Sequence, residues 1–191
     1  MKLILASSSP RRAEILRTAG FAFEVLAPVV DEAARDGEGP VELVCRLAAE
    51  KARDTAAQTT HPAIVIGADT TVVMEGKVYG KPASAEDAAE MFRHYSGRTH
   101  EVITGLAVLR APEGTLRVEH EATRVTFAPM SEEEIAHYIA SGEPFDKAGA
   151  YAIQGLGGRY VTRIEGCYFN VMGLPLARLC RILREMGWKE D

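Results

Sequence analysis

Positive charge is in deficit across this sequence, and cysteine is scarce. The 27 acidic residues outnumber the 22 basic ones, which gives a net charge of −5. This balance excludes the broad cationic surface with which proteins hold DNA or RNA, so any site for a polyanion must be local. Only three cysteines occur, Cys45, Cys167 and Cys180, without a C-x-x-C pair. Such usage predicts neither a zinc site nor a disulfide framework, and it indicates reduced thiols in a cytoplasmic protein.

Long hydrophobic runs are also missing. No stretch approaches the roughly 18 consecutive apolar residues of a membrane span, so no membrane association is predicted. The apolar run after Lys2 ends before SSSPRR, far short of the roughly 7 to 15 residues of a signal peptide. The remaining composition, 47% hydrophobic and 26% charged over 191 residues, is that of a globular protein. A single domain over residues 1–191 is expected.

Strand-like and helical signals alternate along the first half of the chain. Residues 3–6 predict a buried strand, and Ser9 and Pro10 suit the N-cap and first position of a helix that ends before Gly20. Residues 21–27 alternate enough for a second strand. The next predicted elements are a helix from Pro40 with apolar residues every three or four positions, a buried strand at 63–69, and a hairpin that turns near Glu75 and Gly76.

Capping signals and strand patterns continue through the second half. Ser84 with Asp87, and Ser131 with Glu134, predict the starts of two helices. Further strands are predicted at 100–110, 116–127, 160–164 and 168–171, and a last helix at 175–186. The irregular, glycine-rich stretch EPFDKAGAYAIQGLGGRY predicts a binding loop with close backbone approaches. This element order predicts a mixed sheet with helices packed on it.

The stretch SSSPRR breaks a local rule of helix stability. If Ser9 caps the helix, Arg11 and Arg12 lie in its first turn, where the positive end of the helix dipole disfavours cations by about 0.3–1 kcal/mol each. Backbone N–H groups, serine hydroxyls and two guanidinium groups at one helix end would together bind an anion such as phosphate. Alternatively, a serine cap is followed by two solvated arginines. We favour the phosphate site, because local rules tend to be broken where function requires it.

Two carboxylates are candidates for metal binding or proton transfer. Asp69 in GADTT is expected at the exit of the most apolar strand, where open α/β sheets commonly place ligands. A carboxylate there can hold a divalent cation or accept a proton from water. Glu32 lies in an acidic loop that could reach the same sheet edge. The alternatives are an aspartate in a strand-end turn and a solvated glutamate.

Two lysines and a glutamine are candidates for substrate binding. Lys81 stands between Gly80 and Pro82, in a short rigid segment that would present its ammonium group at a defined place; the alternative is an ordinary lysine of a surface loop. Lys51 could reach a phosphate from the edge of the apolar helix stripe, or its side chain could simply extend to solvent. Gln154 offers the amide donor and acceptor that pair with the edge of a pyrimidine base. It could equally be an ordinary solvated loop residue.

Seven segments in order resemble the Maf family of nucleoside triphosphate pyrophosphatases: SSSPRR, AEKAR, GADT, GKP, YSGRTHEVITG, SGEPFDKAGAYAIQGLGG and NVMGLPL. Each motif alone is weak evidence, but the ordered set is highly specific. The resemblance implies an α/β fold like that of the inosine triphosphate pyrophosphatases, with a mixed central sheet flanked by helices and two lobes around a cleft. It also implies hydrolysis of a nucleoside triphosphate to the monophosphate and pyrophosphate, with Mg²⁺ or Mn²⁺ as cofactor.

The resemblance also implies roles for particular residues. Asp69 matches the family's proposed proton acceptor, and Glu32 and Asp69 would bind the metal. The family's cluster for phosphate and metal is matched by Ser7, Arg12, Glu32, Lys51 and Lys81.

Three further positions match those that choose the nucleotide: Arg11, Thr70 and Gln154. In this respect the chain resembles the family branch that prefers dTTP and UTP, and the other branch prefers 7-methyl-GTP. One alternative is therefore hydrolysis of 7-methyl-GTP. Another is a non-catalytic nucleotide-binding regulator of septum formation, a process to which relatives have been linked. An apolar surface could support a homodimer.

Overall fold

The computed structural model describes residues 1–189, so the last two residues of the expected domain lie outside the described part. The chain divides into two compact units. Unit 1 comprises Met1–Asp69, Thr104–Glu121 and residues 173–189 of the described chain, and unit 2 comprises Thr70–Ile103 and Ala122–Met172. The two units agree with the two lobes that the family resemblance implies. The expectation of one domain over 1–191 stays a prediction.

A mixed sheet of seven strands is present within residues 1–189, in the order β2-β1-β3-β5-β6-β7, with β4 paired to β3. Strand β1 is parallel to both β2 and β3, whereas β4 is antiparallel to β3 and β7 is antiparallel to β6. The prediction of a mixed sheet is therefore confirmed. The strands are β1 Lys2–Ala6, β2 Glu24–Val25, β3 Ala63–Met74, β4 Lys77–Tyr79, β5 Thr99–Ala111, β6 Thr115–Phe127 and β7 Val161–Glu165.

The helices of the described chain begin largely where capping signals predict. The Ser84 hydroxyl accepts a hydrogen bond from Asp87 N at 3.1 Å. Ser131 and Glu134 form a reciprocal capping box. The helices are α1 Pro10–Thr18, α2 Pro40–Ala57, α3 Ala85–Tyr95, α4 Glu132–Ala140, α5 Tyr168–Val171 and α6 Leu176–Glu185. Three turns of 3-10 helix, Glu143–Asp146, Ala148–Ala150 and Leu156–Tyr160, occupy the predicted binding loop. No helix among residues 1–189 has both the length and the apolar character to cross a membrane.

Three sequence predictions about strands were wrong. Strand β2 is two residues long instead of spanning 21–27, because only Glu24 and Val25 pair with β1. Residues 168–171 form α5 instead of a strand: the buried Asn170 side chain donates hydrogen bonds to Val102 O and to Thr123 Oγ1, both at 2.9 Å. These tertiary bonds override the strand propensity of the aromatic and β-branched residues beside it.

The third error concerns Asp69. Strand β3 continues through Asp69 to Met74, so this residue lies inside the strand and not at its exit. The strand is prolonged because Val72, Val73 and Met74 pair with β4 in the hairpin. Asp69 is tolerated there because its carboxylate is paired with the ammonium group of Lys51.

Helix α2 packs directly on the sheet within unit 1. A Cβ atom added to Gly67 of β3 would lie 2.1 Å from Ala48 O, and one added to Gly105 of β5 would lie 2.1 Å from Val44 O. Only glycine permits so close an approach of helix backbone to strand backbone. Val44 and Ala48 are fully buried at this contact. Lys51, one turn after Leu47, is thereby placed on the sheet-facing side of the helix.

Candidate active site

Ser7 and Arg12 are brought together at the start of α1. Arg12 Nε donates a hydrogen bond to Gly173 O at 2.7 Å, and Arg12 Nη1 donates to Ser7 Oγ at 3.2 Å. The Ser7 hydroxyl also accepts from Ser9 N at 3.1 Å. Ser9 occupies the N-cap position, as predicted, but its side chain does not cap the helix. Arg12 is therefore a half-buried, oriented guanidinium group, which contradicts the alternative of a solvated arginine.

Several charges surround the Arg12 guanidinium group. Burial lowers the pKa of Arg12 below its usual value, and the neighbouring Arg11 lowers it further, while Asp69 and Glu32 raise it. The first turn of α1 contains no acidic residue to offset the two arginines. A bound anion would compensate both the burial of the guanidinium group and its repulsion by Arg11 and the helix dipole.

Lys51 links the two candidate carboxylates. Its Nζ lies 2.7 Å from Asp69 Oδ1 and 2.5 Å from Glu32 Oε1. The side chains of Lys51 and Asp69 are 8% and 15% exposed, and that of Glu32 is 58% exposed. Lys51 thus does not extend to solvent, and Glu32 reaches this cluster from its loop. We call Ser7, Arg12, Glu32, Lys51 and Asp69 the phosphate cluster.

The loop that carries Glu32 is fixed to α2 on both sides of that residue. Arg46 Nη2 donates to Ala33 O at 3.0 Å, and Asp54 Oδ2 accepts from Val29 N at 2.9 Å. Arg46 also pairs with Glu38, and hydrogen bonding to Arg46 is the main cause that lowers the pKa of Glu38 to about 2. Arg46 therefore holds the loop in place, a role that sequence reasoning missed because ion pairs are ordinary on helix surfaces.

The arrangement of Glu32 and Asp69 fits a metal that shares its coordination with a substrate. Both carboxylates reach the single Lys51 ammonium group, so their oxygens converge on one cationic position. Among residues 1–189, no group of three or more histidine, cysteine or acidic residues forms a ready-made metal cage. Mg²⁺ typically takes one or two carboxylates and completes its shell with water and phosphate oxygens. Two carboxylates therefore suit this ion.

The other predicted site residues belong to unit 2. Thr70 is half-buried in β3, Lys81 is exposed just after β4, and Gln154 is exposed between two 3-10 turns. The segments that carry Lys81 and Gln154 are joined by a hydrogen bond of 2.9 Å from Gly149 N to Gly80 O. Gly149 has a φ of +69°, and a Cβ there would lie 2.4 Å from Val72 Cγ2. Glycine is required at this contact.

Two polar pairs stabilise the loop before Gln154. Lys147 pairs with Asp146 and also donates to Glu143 O at 2.8 Å. His100 Nε2 and Tyr151 Oη share a buried hydrogen bond of 2.7 Å. Sequence reasoning missed this pair, since a histidine in a strand and a tyrosine in a loop are ordinary residues. The carbonyl of Gly173 in NVMGLPL was likewise missed, because a backbone acceptor leaves no signal in residue type.

Comparison with known proteins supplies the family context. The family model described as "Maf-like protein" matches residues 2–186. A dTTP/UTP pyrophosphatase of Koribacter versatilis (strain Ellin345) is 54% identical over 187 residues, covering 98% of this chain and 95% of that protein. A dTTP/UTP pyrophosphatase of Symbiobacterium thermophilum is 51% identical over 188 residues, with the same two coverages of 98% and 95%.

Solved structures resemble this chain at lower identity. The Ham1 protein of Staphylococcus aureus has a TM-score of 0.50 at 12% identity, covering 97% of this chain and 100% of that one. A HAM1 protein from Coxiella burnetii has a TM-score of 0.50 at 18% identity, covering 97% and 99% of the respective chains. These similarities establish the α/β fold that the sequence predicts.

Proposed function

Because the chain belongs to the Maf family, we propose that it is a nucleoside triphosphate pyrophosphatase that hydrolyses dTTP and UTP to the monophosphate and pyrophosphate. The observation that carries this proposal is the identity of about one residue in two with dTTP/UTP pyrophosphatases over nearly the whole chain. Arg11, Thr70 and Gln154, which match the pyrimidine branch in the sequence, support the same choice of nucleotide.

The phosphate cluster supports binding of the triphosphate group. We propose that Arg12 and Lys51 neutralise phosphate oxygens and that the Ser7 hydroxyl orients Arg12. The Arg12 side chain is already held by Gly173 O and Ser7 Oγ, so little conformational freedom is lost on binding. Lys81, whose ammonium group is exposed beside Gly80, is proposed to bind a phosphate oxygen as well.

Glu32 and Asp69 are the residues that would hold Mg²⁺ or Mn²⁺. When bound, such an ion would neutralise phosphate charge and polarise the bond that breaks. The tether of the Glu32 loop to Arg46 and Asp54 would keep the Glu32 carboxylate beside Asp69.

We propose that Asp69 orients the attacking water and accepts its proton. The water oxygen forms a bond to the α-phosphorus while the bond from that phosphorus to the bridging α–β oxygen breaks. The bridging oxygen leaves with the pyrophosphate, whose charge Arg12 and the lysines stabilise. A carboxylate held inside a strand by the neighbouring Lys51 is rigid enough for this positioning role.

A nucleotide panel tests the proposal. Purified protein with Mg²⁺ is given dTTP, UTP, 7-methyl-GTP and purine triphosphates, and phosphate is measured with and without added inorganic pyrophosphatase. We expect dTTP and UTP to be hydrolysed fastest, with phosphate appearing only after pyrophosphatase is added. Asp69→Asn should abolish turnover while circular dichroism shows an intact fold. Asp36→Asn, an exposed change near Glu32, is the matched control and should stay active.

Each alternative gives a distinct result in the same panel. Faster hydrolysis of 7-methyl-GTP than of dTTP and UTP would show that the protein has the substrate preference of the other family branch. Nucleotide binding in the presence of metal without any pyrophosphate would identify a regulator instead of an enzyme. Near-normal activity of Asp69→Asn would remove Asp69 from its proposed role.

We also propose a cytoplasmic location and a homodimer. The cysteines of residues 1–189 are free thiols, which suits a cytoplasmic location.

A further inference from the structure

Glu143, a residue of the SGEP motif without an assigned role, lies at the centre of a hydrogen-bonded clasp in unit 2. Its Oε1 accepts from Tyr138 Oη at 2.6 Å and from Gly157 N at 3.0 Å, and its Oε2 accepts from Leu156 N at 2.9 Å. Tyr138 is 2% exposed on α4. The carboxylate therefore connects a buried helix residue to the backbone of the loop that carries Gln154.

Glycines allow the loop backbone to approach this clasp. A Cβ on Gly155 would lie 2.3 Å from Glu143 Oε2, and a Cβ on Gly157 would lie 2.7 Å from Tyr138 Oη. Real Cβ atoms do not come so close to other heavy atoms, so any other residue would push the loop off the carboxylate. Two glycines of AIQGLGG, Gly155 and Gly157, thus each have a specific partner in the clasp.

The clasp holds the backbone on both sides of Gln154. On one side Ala152 N donates to Tyr138 Oη at 3.4 Å. On the other side Leu156 N and Gly157 N donate to Glu143. Gln154 itself is exposed. An exposed amide on a flexible loop would recognise a base poorly, because ordering the loop on binding costs free energy that a fixed loop does not lose.

Glu143 is ionised in this arrangement. Burial alone would raise the pKa of Glu143, but hydrogen bonds from Tyr138, Gly157 and Leu156 and the nearby Lys147 lower it overall. Hydrogen bonds to an ionised acceptor are stronger than those between neutral groups.

We propose that Glu143 is a positioning residue for nucleotide selection: its carboxylate fixes the backbone around Gln154 so that the amide meets the base in one orientation. The inference rests on the proposed function and adds a residue that determines specificity without contact with substrate. It predicts that selectivity depends on the clasp even when every residue of the phosphate cluster is intact.

Glu143→Gln is the first test variant. An amide retains one acceptor oxygen, but its NH₂ group would face a backbone N–H or the Tyr138 hydroxyl, so at least one bond of the clasp is lost. Tyr138→Phe is the second variant; it keeps the buried ring and removes only Oη, and so guards against loss of folding. Glu133→Gln, which removes an exposed carboxylate from the first turn of α4, is the matched control.

Two measurements are made on all three variants. The first is kcat and KM for dTTP, UTP and a purine triphosphate. We expect Glu143→Gln and Tyr138→Phe to raise KM for dTTP and UTP about tenfold, with a smaller change for the purine triphosphate and in kcat. The second is hydrogen exchange at the Leu156 and Gly157 amides, which we expect to become at least tenfold faster. The control should match the wild type in both.

The possible outcomes separate this inference from the proposed function. If the wild type hydrolyses dTTP but the clasp variants keep its selectivity, or lose activity equally on all nucleotides, the inference is overturned and the function stands. Unchanged exchange at the two amides would overturn it as well. If Glu143→Gln and Tyr138→Phe lose selectivity for dTTP and UTP and exchange the two amides faster, while Glu133→Gln does neither, the inference is supported. A wild type that hydrolyses no nucleoside triphosphate would overturn both proposals.

Discussion

His100 is a buried histidine on β5 with aromatic neighbours. It is 2% exposed, shares a hydrogen bond with Tyr151, and its ring centroid lies 4.6 Å from that of Tyr95. Burial lowers the pKa of His100 to about 4. The imidazole is therefore neutral in the folded protein at pH values where an unfolded chain would bind a proton.

This pKa predicts a pH window for stability. Between the unfolded pKa of about 6.5 and the folded value of about 4, the unfolded state binds more protons, so stability falls as pH falls. His100 alone should lower the free energy of unfolding by about 3 kcal/mol across that window. Urea unfolding of the wild type and of His100→Gln at pH 7 and pH 4 measures this decrease in the free energy of unfolding.

His100→Gln should lack the part of the stability loss between pH 7 and pH 4 that His100 causes, even if this variant is less stable than the wild type at pH 7. His120→Gln, which changes an exposed histidine of β6, should lose as much stability between pH 7 and pH 4 as the wild type does. Equal losses in the wild type and in His100→Gln would show that this histidine does not titrate as its burial requires.

Single residues could be selected from the sequence where charge conflicted with local structure. Arg12 could be chosen because two cations at a helix N-terminus oppose the dipole. Asp69 was chosen for a place at the exit of the most apolar strand, although β3 in fact continues through it. The pairing of Lys51 with Glu32 and Asp69 could not be foreseen, since helix periodicity does not reveal what faces the helix. Glu143 could not be chosen at all, because its partners are a tyrosine hydroxyl and two backbone amides.

Helix α2 is the element on which the phosphate cluster depends. It carries Lys51, anchors the Glu32 loop, and lies against the glycines of β3 and β5. Gly67→Ala should therefore force the helix away from the sheet, since its Cβ would collide with backbone atoms of Ala48 and Ala52 that cannot rotate aside. We expect a loss of about 1–3 kcal/mol in the free energy of unfolding.

Urea unfolding of Gly67→Ala measures this loss in the free energy of unfolding, and kcat of the same variant is measured as well. Activity should fall further than the unfolded fraction explains, because displacing α2 also displaces Lys51. Gly80→Ala is the control for stability: a Cβ there meets nothing within 4 Å, so the change should be small. A Gly67→Ala protein as stable as this control would refute the close packing of α2.

Elements were predictable where sequence pattern and tertiary contacts agree. The α2 stripe, the hairpin at Glu75 and Gly76, and the serine caps at Ser84 and Ser131 depend on neighbours in sequence. Helix α5 was mistaken for a strand because its conformation follows from the long-range bonds of Asn170. The length of β3 was underestimated because the stabilising partner of Asp69 comes from another element.

The net charge of the whole molecule bears on how the proposed substrate would bind. With a net charge of −5, the protein as a whole repels a nucleoside triphosphate. Binding must therefore come from the local cations, and ligand binding to the folded state should raise the melting temperature. At a hundredfold excess over Kd, a non-hydrolysable dTTP analogue with Mg²⁺ should add about 2.7 kcal/mol, or about 5–10 °C for a chain of this size.

Arg12→Gln should lose most of that shift, since its guanidinium group, which Gly173 O and Ser7 Oγ hold in place, is proposed to bind phosphate. Arg53→Gln is the matched control, because it removes the same charge from an exposed position of α2 and leaves the phosphate cluster intact. Differential scanning fluorimetry over a range of analogue concentrations separates binding governed by net charge from binding at a local site. If both variants lost the shift equally, net charge alone would govern binding. Only a loss specific to Arg12 is consistent with a local triphosphate site on an acidic protein.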